Sequence, residues 1–307
     1  MSGPVSDSVN GSVSGSVRDA VRAASRRLAA AGVERADVDA VALAAHALRT
    51  STGDVHRLMV LGADAPPGLD AMEALVAERA RRVPLQHLTG RAPFRHLELS
   101  VGPGVFVPRP ETEVVAGLAV PLLRELADAE RRAPVVVDLC TGSGAIALSL
   151  KQEVPAASVH AVELSDLAHA WAVRNRDDLG LDVELLLGDA TTAFAELEGE
   201  VDVVVSNPPY IPVGAVPNDP EVRDHDPHVA LYGGSADGLR IPLEVAARAG
   251  ALLRDGGVLL MEHADVQGRS LPAALRGTGV WADVEDHDDL AGRPRVTRAV
   301  RAPRLAP

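Results

Sequence analysis

The segment Asn207-Pro208-Pro209-Tyr210 carries the most specific chemistry in this chain. It follows an apolar run, residues 201–205, that reads as a buried strand. A side-chain amide oxygen and a backbone carbonyl, mounted on a stiff Pro-Pro turn, form a receptor for a planar –NH2 group. Such a group has two N–H donors, and Asn207 and Pro208 offer one acceptor each. Each proline fixes its own φ, and a residue before proline is driven to extended backbone. The acceptors are therefore in place before a ligand arrives. Tyr210, one of two tyrosines, stands ready with Pro209 to lay a flat ring against a flat group. An ordinary turn after a strand would also read Asn-Pro.

A second constellation is Asp138-Leu139-Cys140-Thr141-Gly142-Ser143-Gly144, between a strand-like and a helix-like segment. Glycines let the backbone turn sharply and approach a ligand closely. Gly142-x-Gly144-x-x-Ala147 fits a relaxed dinucleotide fingerprint, and Glu163 follows nineteen residues after Gly144, at the end of the next strand. Its carboxylate can accept from both hydroxyls of a ribose. These residues point to an adenosine-type cofactor and leave NAD and S-adenosyl-L-methionine both open. Asp138 favours the latter, because an acid before the glycines suits an amino-acid ammonium and repels a pyrophosphate. Gly188-Asp189-Ala190 ends a third strand, where Asp189 can accept from an exocyclic amine or cap a helix. The charged stretch 219–228 matches no metal-ligand spacing and reads as a solvated loop. No metal site is expected.

The elements that must hold these residues follow from periodicity. Residues 17–88 read as helical, in segments 17–31, 37–48, 54–61 and 68–82, joined by short loops into a small bundle. In the second segment Val38, Val41, Ala42, Ala45 and Leu48 fall on one face. Residues 94–101 alternate like a strand, Gly102-Pro103-Gly104 reads as the turn, and 105–107 resume, giving a β-hairpin linker over 91–107. Pro110 and the acids after it start a helix over 114–129. From residue 134 onward strands and helices alternate, which predicts a parallel sheet covered on both faces, with ligands at the carboxyl ends of the strands.

Bulk composition narrows the function classes. The 307 residues allow two domains of ordinary size. The net charge of −13 argues against a protein that grips long nucleic acid through its phosphates. Cys140 is the only cysteine, so no internal disulfide forms and a reducing cytoplasm fits. No apolar run is long enough to span a membrane. Residues 1–16, rich in Ser, Gly and Val, read as a disordered tail and not as a signal peptide.

Together these residues resemble the class I methyltransferases, and more closely the bacterial release-factor glutamine methyltransferases, the HemK/PrmC family. The similarity runs from about Arg18 to Arg301. It is carried by Arg82-Val83-Pro84-Leu85-Gln86-His87-Leu88-Thr89-Gly90, by Val107-Pro108-Arg109-Pro110-Glu111-Thr112-Glu113, by the 138–144 loop and by the 207–210 loop. The resemblance implies an α/β fold: a Rossmann-like methyltransferase domain over 108–301, with the 17–90 bundle docking the substrate. It implies S-adenosyl-L-methionine against Asp138, Cys140, Thr141, Gly142, Ser143, Gly144, Glu163, Asp189, Ala190 and Asn207. Asn207, Pro208, Pro209 and Tyr210 would line the substrate pocket, with Asn207 and Pro208 catalytic. The implied partner is a class 1 peptide chain release factor, methylated by a monomeric enzyme on the glutamine of its Gly-Gly-Gln motif. The chain departs from the family at Cys140 (usually glycine), Glu163 (more often aspartate), Ala190 (often aromatic) and Arg95-His96 (usually an aromatic-glycine pair). Adenine N6 of a nucleic acid, or another protein glutamine, is the alternative acceptor for the same Asn-Pro-Pro-Tyr receptor.

Overall fold

The computed structural model describes residues 15–130 and 132–304. The chain separates into two units, one ending at Gly90 and one beginning at Arg91. Most of the expected tail, residues 1–14, lies outside the described residues. Ser16 does not belong to a tail: its hydroxyl caps the first helix by accepting from Asp19 N at 3.2 Å.

The first unit contains α1 (Val17–Ala30), α2 (Ala36–Leu48), α3 (Thr52–Leu61), α4 (Met72–Ala80) and α5 (Leu85–Thr89). Val17, Val21, Ala24 and Leu28 form the buried stripe of α1. The buried face of α2 differs from the one apolar spacing suggests. Val38 is exposed, while Asp39 points inward. Arg79 of α4 explains this, donating from Nε to Asp39 Oδ2 at 2.7 Å inside the bundle. A buried acid needs a paired cation, and that pair turns α2.

The second unit opens with a hairpin of β1 (Arg91–Phe94) and β2 (Leu97–Ser100). Its turn is Arg95-His96, since Phe94 pairs with Leu97, and not the expected Gly102-Pro103-Gly104. Arg95 adopts φ +52°, the left-handed conformation that two-residue hairpins require. It is held there by Glu153, which takes its guanidinium, and by Glu113, which accepts its backbone N–H at 2.9 Å. Asn175 then ties β2 to the loop after the first sheet strand. Its amide exchanges hydrogen bonds with Ser100 N and O and donates to Ser143 O.

The helix α6 (Glu113–Glu130) leads into β3 (Val135–Leu139), α7 (Ala145–Glu153), β4 (Ser158–Glu163), α8 (Asp166–Leu179), β5 (Glu184–Leu187) and β6 (Val201–Ser206). Then come α9 (Pro220–His225), α10 (Arg240–Leu252), β7 (Leu253–Glu262), α11 (Ser270–Gly277), β8 (Trp281–Asp288) and β9 (Pro294–Arg301). The sheet order is β5-β4-β3-β6-β7-β9-β8. One apolar layer, from α6, α7 and the hairpin, packs on one face of the sheet; a second, from α10 and α11, packs on the other. The strands from β5 to β7 are parallel, but β9 is antiparallel to both neighbours. The short link between β8 and β9 can only turn a hairpin, because a parallel return needs a crossover of a dozen or more residues. The chain runs from β3 outward to β5 and then returns to the other side of β3 as β6. That reversal makes the β3/β6 crevice the switch point where open α/β sheets bind ligands.

Candidate active site

The loops that follow β3 and β6 start side by side. Leu139 pairs with Ser206, and neighbouring strands lie about 4.8 Å apart. Ser206 Oγ donates to Leu139 O and locks the two ends together. Cys140 and Asn207 are the next residues on each, and both line one cavity of about 700 Å³, an ordinary size for a small-molecule site. Thr141, Gly142, Ser143, Glu163, Asp189, Ala190, Pro209 and Tyr210 line it too.

Glu163 is aimed by its own backbone neighbours. Gly142 N donates to Oε2 and Ser165 N to Oε1, both at 2.8 Å. Each oxygen keeps a lone pair for a hydroxyl of the ligand. Gly142 sits at φ +61°, and a Cβ there would meet nothing within 4 Å. Its bare backbone leaves room for close approach. Gly144 serves packing instead: a Cβ would strike Leu148 at 2.9 Å. Ser143 Oγ is buried without a hydrogen-bond partner among the described residues. Asp189 Oδ1 accepts from Thr191 N and Oγ1 at 2.8 Å, leaving Oδ2. This collar of acids, open backbone and an unused hydroxyl fits an adenosine bearing a cationic amino-acid arm.

Three of the expected site residues do not reach the lining: Asp138, Gly144 and Pro208. Asp138 is fully buried behind the loop. Its Oδ2 accepts from Thr141 Oγ1 at 2.6 Å and Ala147 N at 3.2 Å, and Oδ1 has no hydrogen-bond partner among the described residues. Burial, helped by nearby Glu163, pushes its carboxyl up to about 7. Its contacts shape the loop from within. Pro208 is buried.

Cys140 occupies φ +73°, which accounts for the glycine usual at this place. A side chain there is strained. Burial and the surrounding acids also push its thiol well up, so it stays protonated.

Asn207 is oriented by a residue that sequence pattern alone did not single out. Its Nδ2 donates to Thr112 Oγ1 at 3.2 Å, which leaves Oδ1 to accept from a ligand. Thr112 comes from the Pro-Arg-Pro-Glu-Thr-Glu segment, 95 positions earlier in the chain. The far end of the loop is clasped as well. Gln267 Nε2 donates to Tyr210 O at 3.0 Å and to Asp237 O at 2.9 Å, and Ile211 bridges to Tyr232. Tyr210 Oη donates to Glu262 Oε1 at 3.2 Å, so this ring is anchored at its polar tip. Residues 219–228 are not the expected solvated loop. Asp219 caps α9, and Asp226 is buried, accepting from Arg109 Nη2 at 2.8 Å. Of Thr112, Glu262, Gln267 and Asp226, only Thr112, in the 107–113 segment, and Asp226, in the charged stretch 219–228, sit in segments that stand out in the sequence.

Residues 19–90 match the PrmC N-terminal domain and residues 98–217 the methyltransferase small domain. The chain is 50% identical over 280 residues to the release factor glutamine methyltransferase of Streptomyces coelicolor, covering 91% of this chain and 96% of that one. This chain belongs to the release factor glutamine methyltransferase family. The enzyme of the same name from Mycolicibacterium smegmatis is 48% identical over 283 residues, covering 92% and 96%. A 4-amino-L-phenylalanine/4-methylamino-L-phenylalanine methyltransferase from Streptomyces pristinaespiralis is 41% identical over 261 residues, covering 84% and 87%. The methyl donor of this methyltransferase is S-adenosyl-L-methionine, for which the collar around Glu163 and Gly142 is suited.

Two substitutions test the loop geometry. Gly238 sits at φ +75° with a Cβ position 2.1 Å from Tyr210 O. Gly238→Ala should cost roughly 1–3 kcal/mol in urea unfolding and lower turnover as Tyr210 shifts. Gly256→Ala, with φ +76° but open space around it, should show the backbone cost without the loss of turnover. At the strained thiol, Cys140→Gly should leave stability within about 1 kcal/mol of the parent. Cys140→Val, β-branched at positive φ, should lose roughly 1–3 kcal/mol.

Proposed function

We propose that this methyltransferase acts on the side-chain amide nitrogen of the glutamine in the Gly-Gly-Gln motif of class 1 peptide chain release factors. The reading places it in the cytoplasm as a monomer, with the helical unit docking the protein substrate. The observation that carries it is the commitment of Asn207 Nδ2 to Thr112, which presents Oδ1 as an acceptor in the cavity that Glu163 and Gly142 line. The names of the full-length relatives from S. coelicolor and M. smegmatis support the substrate. The S. pristinaespiralis relative, whose name pairs an amino compound with its methylamino form, supports an –NH2 group as the element recognised.

An amide nitrogen is a poor nucleophile because its lone pair is delocalised into the carbonyl. Asn207 Oδ1, which lies on the cavity lining as Pro208 does not, accepts one of its two N–H bonds. This fixes the nitrogen in a near-attack position and favours its pyramidalisation. S-adenosyl-L-methionine, when bound, supplies an electrophilic methyl group on a sulfonium. With the donor bound, the methyl–sulfur bond would break to a neutral thioether as the N–C bond forms. The positive charge growing on nitrogen makes the neutral acceptor Asn207 Oδ1 a stronger partner, which stabilises the transition state over the ground state. The methylated nitrogen then loses its extra proton to solvent. Tyr210 and Pro209 exclude water from the amide. Adenine N6 is not favoured as the acceptor, given the acidic balance of the chain and the relatives' names.

Asn207→Ala should reduce kcat by about 10²–10³-fold, as when one preorganised polar group is removed from an active site, with donor affinity in calorimetry nearly unchanged. Glu163→Ala should do the reverse, weakening donor binding roughly 10–100-fold through lost charged hydrogen bonds. The substrate is tested by mass spectrometry of a release factor after incubation with enzyme and donor. A gain of one methyl, about 14 Da, on the motif glutamine is expected from the proposed transfer. Methylation of offered DNA or ribosomal RNA, with release factor unmodified, would overturn the assignment.

A further inference from the structure

Glu262, the last residue of β7, has no part in the transfer just described, yet it is a buried acid on the cavity wall. Tyr210 Oη donates to its Oε1. Thr112 lies against the same carboxylate and favours its charged form, while Oε2 is buried with no hydrogen-bond partner among the described residues. Such contacts in ligand-free sites often tighten when substrate binds. Arg295 of β9 also favours the charge, and Glu111, beside Thr112, opposes it.

We propose that Glu262 is a positioning residue that sets the direction of the hydrogen bonds around Asn207, acting through Thr112. The inference rests on the amide-methylation reading above. A threonine hydroxyl has one proton to give. Thr112 Oγ1 already accepts from Asn207 Nδ2, so its own proton needs an acceptor, and the ionised carboxylate is the strongest one facing it. The chain of bonds then has one polarity: Asn207 to Thr112 to Glu262, with Tyr210 closing on the same carboxylate. The two ends of the Asn207 amide are nearly equal in shape, and only this network decides which end faces the cavity.

A neutral Glu262 frees the Thr112 proton to turn towards Asn207 Oδ1. The amide can then rotate and present Nδ2, a donor, to a substrate nitrogen that also donates. Burial, as the largest influence, pushes Glu262 up to about 7. Because an acid is charged above its pKa, the productive polarity holds on the alkaline side and is lost as pH falls through that value. Tyr210, Thr112, Arg295 and Glu111 are the groups bearing on this titration.

The test uses the full chain, S-adenosyl-L-methionine and a release factor with an unmodified motif. The parent's kcat should fall on the acid side with a midpoint near 7. Glu262→Gln should lower kcat at least about 10-fold and flatten the profile between about pH 6 and pH 8.5, with donor binding retained in calorimetry. Thr112→Val should show a similar deficit, the double variant should be no worse than either single one, and Thr112→Ser should recover most of the loss. Independently of turnover, the Asn207 side-chain amide signal in ¹⁵N NMR should titrate in the parent and not in Glu262→Gln. A Glu262→Gln enzyme with parental kcat and an unchanged acid limb would overturn the proposal, as would deficits that multiply in the double variant. If no release factor is methylated while the amide signal still follows Glu262, the functional reading fails and the hydrogen-bond assignment stands.

Discussion

The constraint on which the site depends is the adjacency of two parallel strand ends. Because β3 and β6 are neighbours with Leu139 opposite Ser206, the two loops that line the cavity begin one strand spacing apart. Nothing in either loop has to reach. The sheet brings the two loops together at one cavity, and the Ser206 hydroxyl on the Leu139 carbonyl stops the ends from sliding. The loops themselves need only local chemistry: positive-φ positions on the β3 side and prolines on the β6 side.

What sequence makes legible here is local chemistry. Asn207, Gly142 and Glu163 stand out because strand-ending positions, glycine spacing and Pro-Pro stiffness are written in a few consecutive residues. The parts that sequence left hidden are long-range partners. Thr112 and Asn207, or Tyr210 and Gln267, meet only through the fold. The inward turn of Asp39 likewise needs Arg79. The hairpin turn was misplaced for a related reason. Gly102 and Gly104 advertise a turn, but Arg95 takes the left-handed position because Glu113 and Glu153 hold it there. Alternation predicts a parallel sheet throughout, and β9 departs from it because the short link before it can only turn a hairpin.

Asp138 separates two meanings of a site residue. Its type and place before the glycines suggested a direct ligand contact, but it is fully buried and its contacts are with Thr141 and Ala147. It sets the curvature of the backbone that a ligand would touch. Burial raises its carboxyl well above the ordinary range, a cost accepted for loop shape. Glu163 is the opposite case, with both oxygens pinned by backbone donors and its free lone pairs on the cavity side.

The amide of Asn175 joins β2 at Ser100 to the donor loop at Ser143. The hairpin and the loop after β3 therefore share one connector. A displacement of β2 by anything that seats against it must either carry Ser143 along or break this bridge. Because Asn175 belongs to α8, strain applied to β2 has a direct route through that helix to the backbone at Ser143.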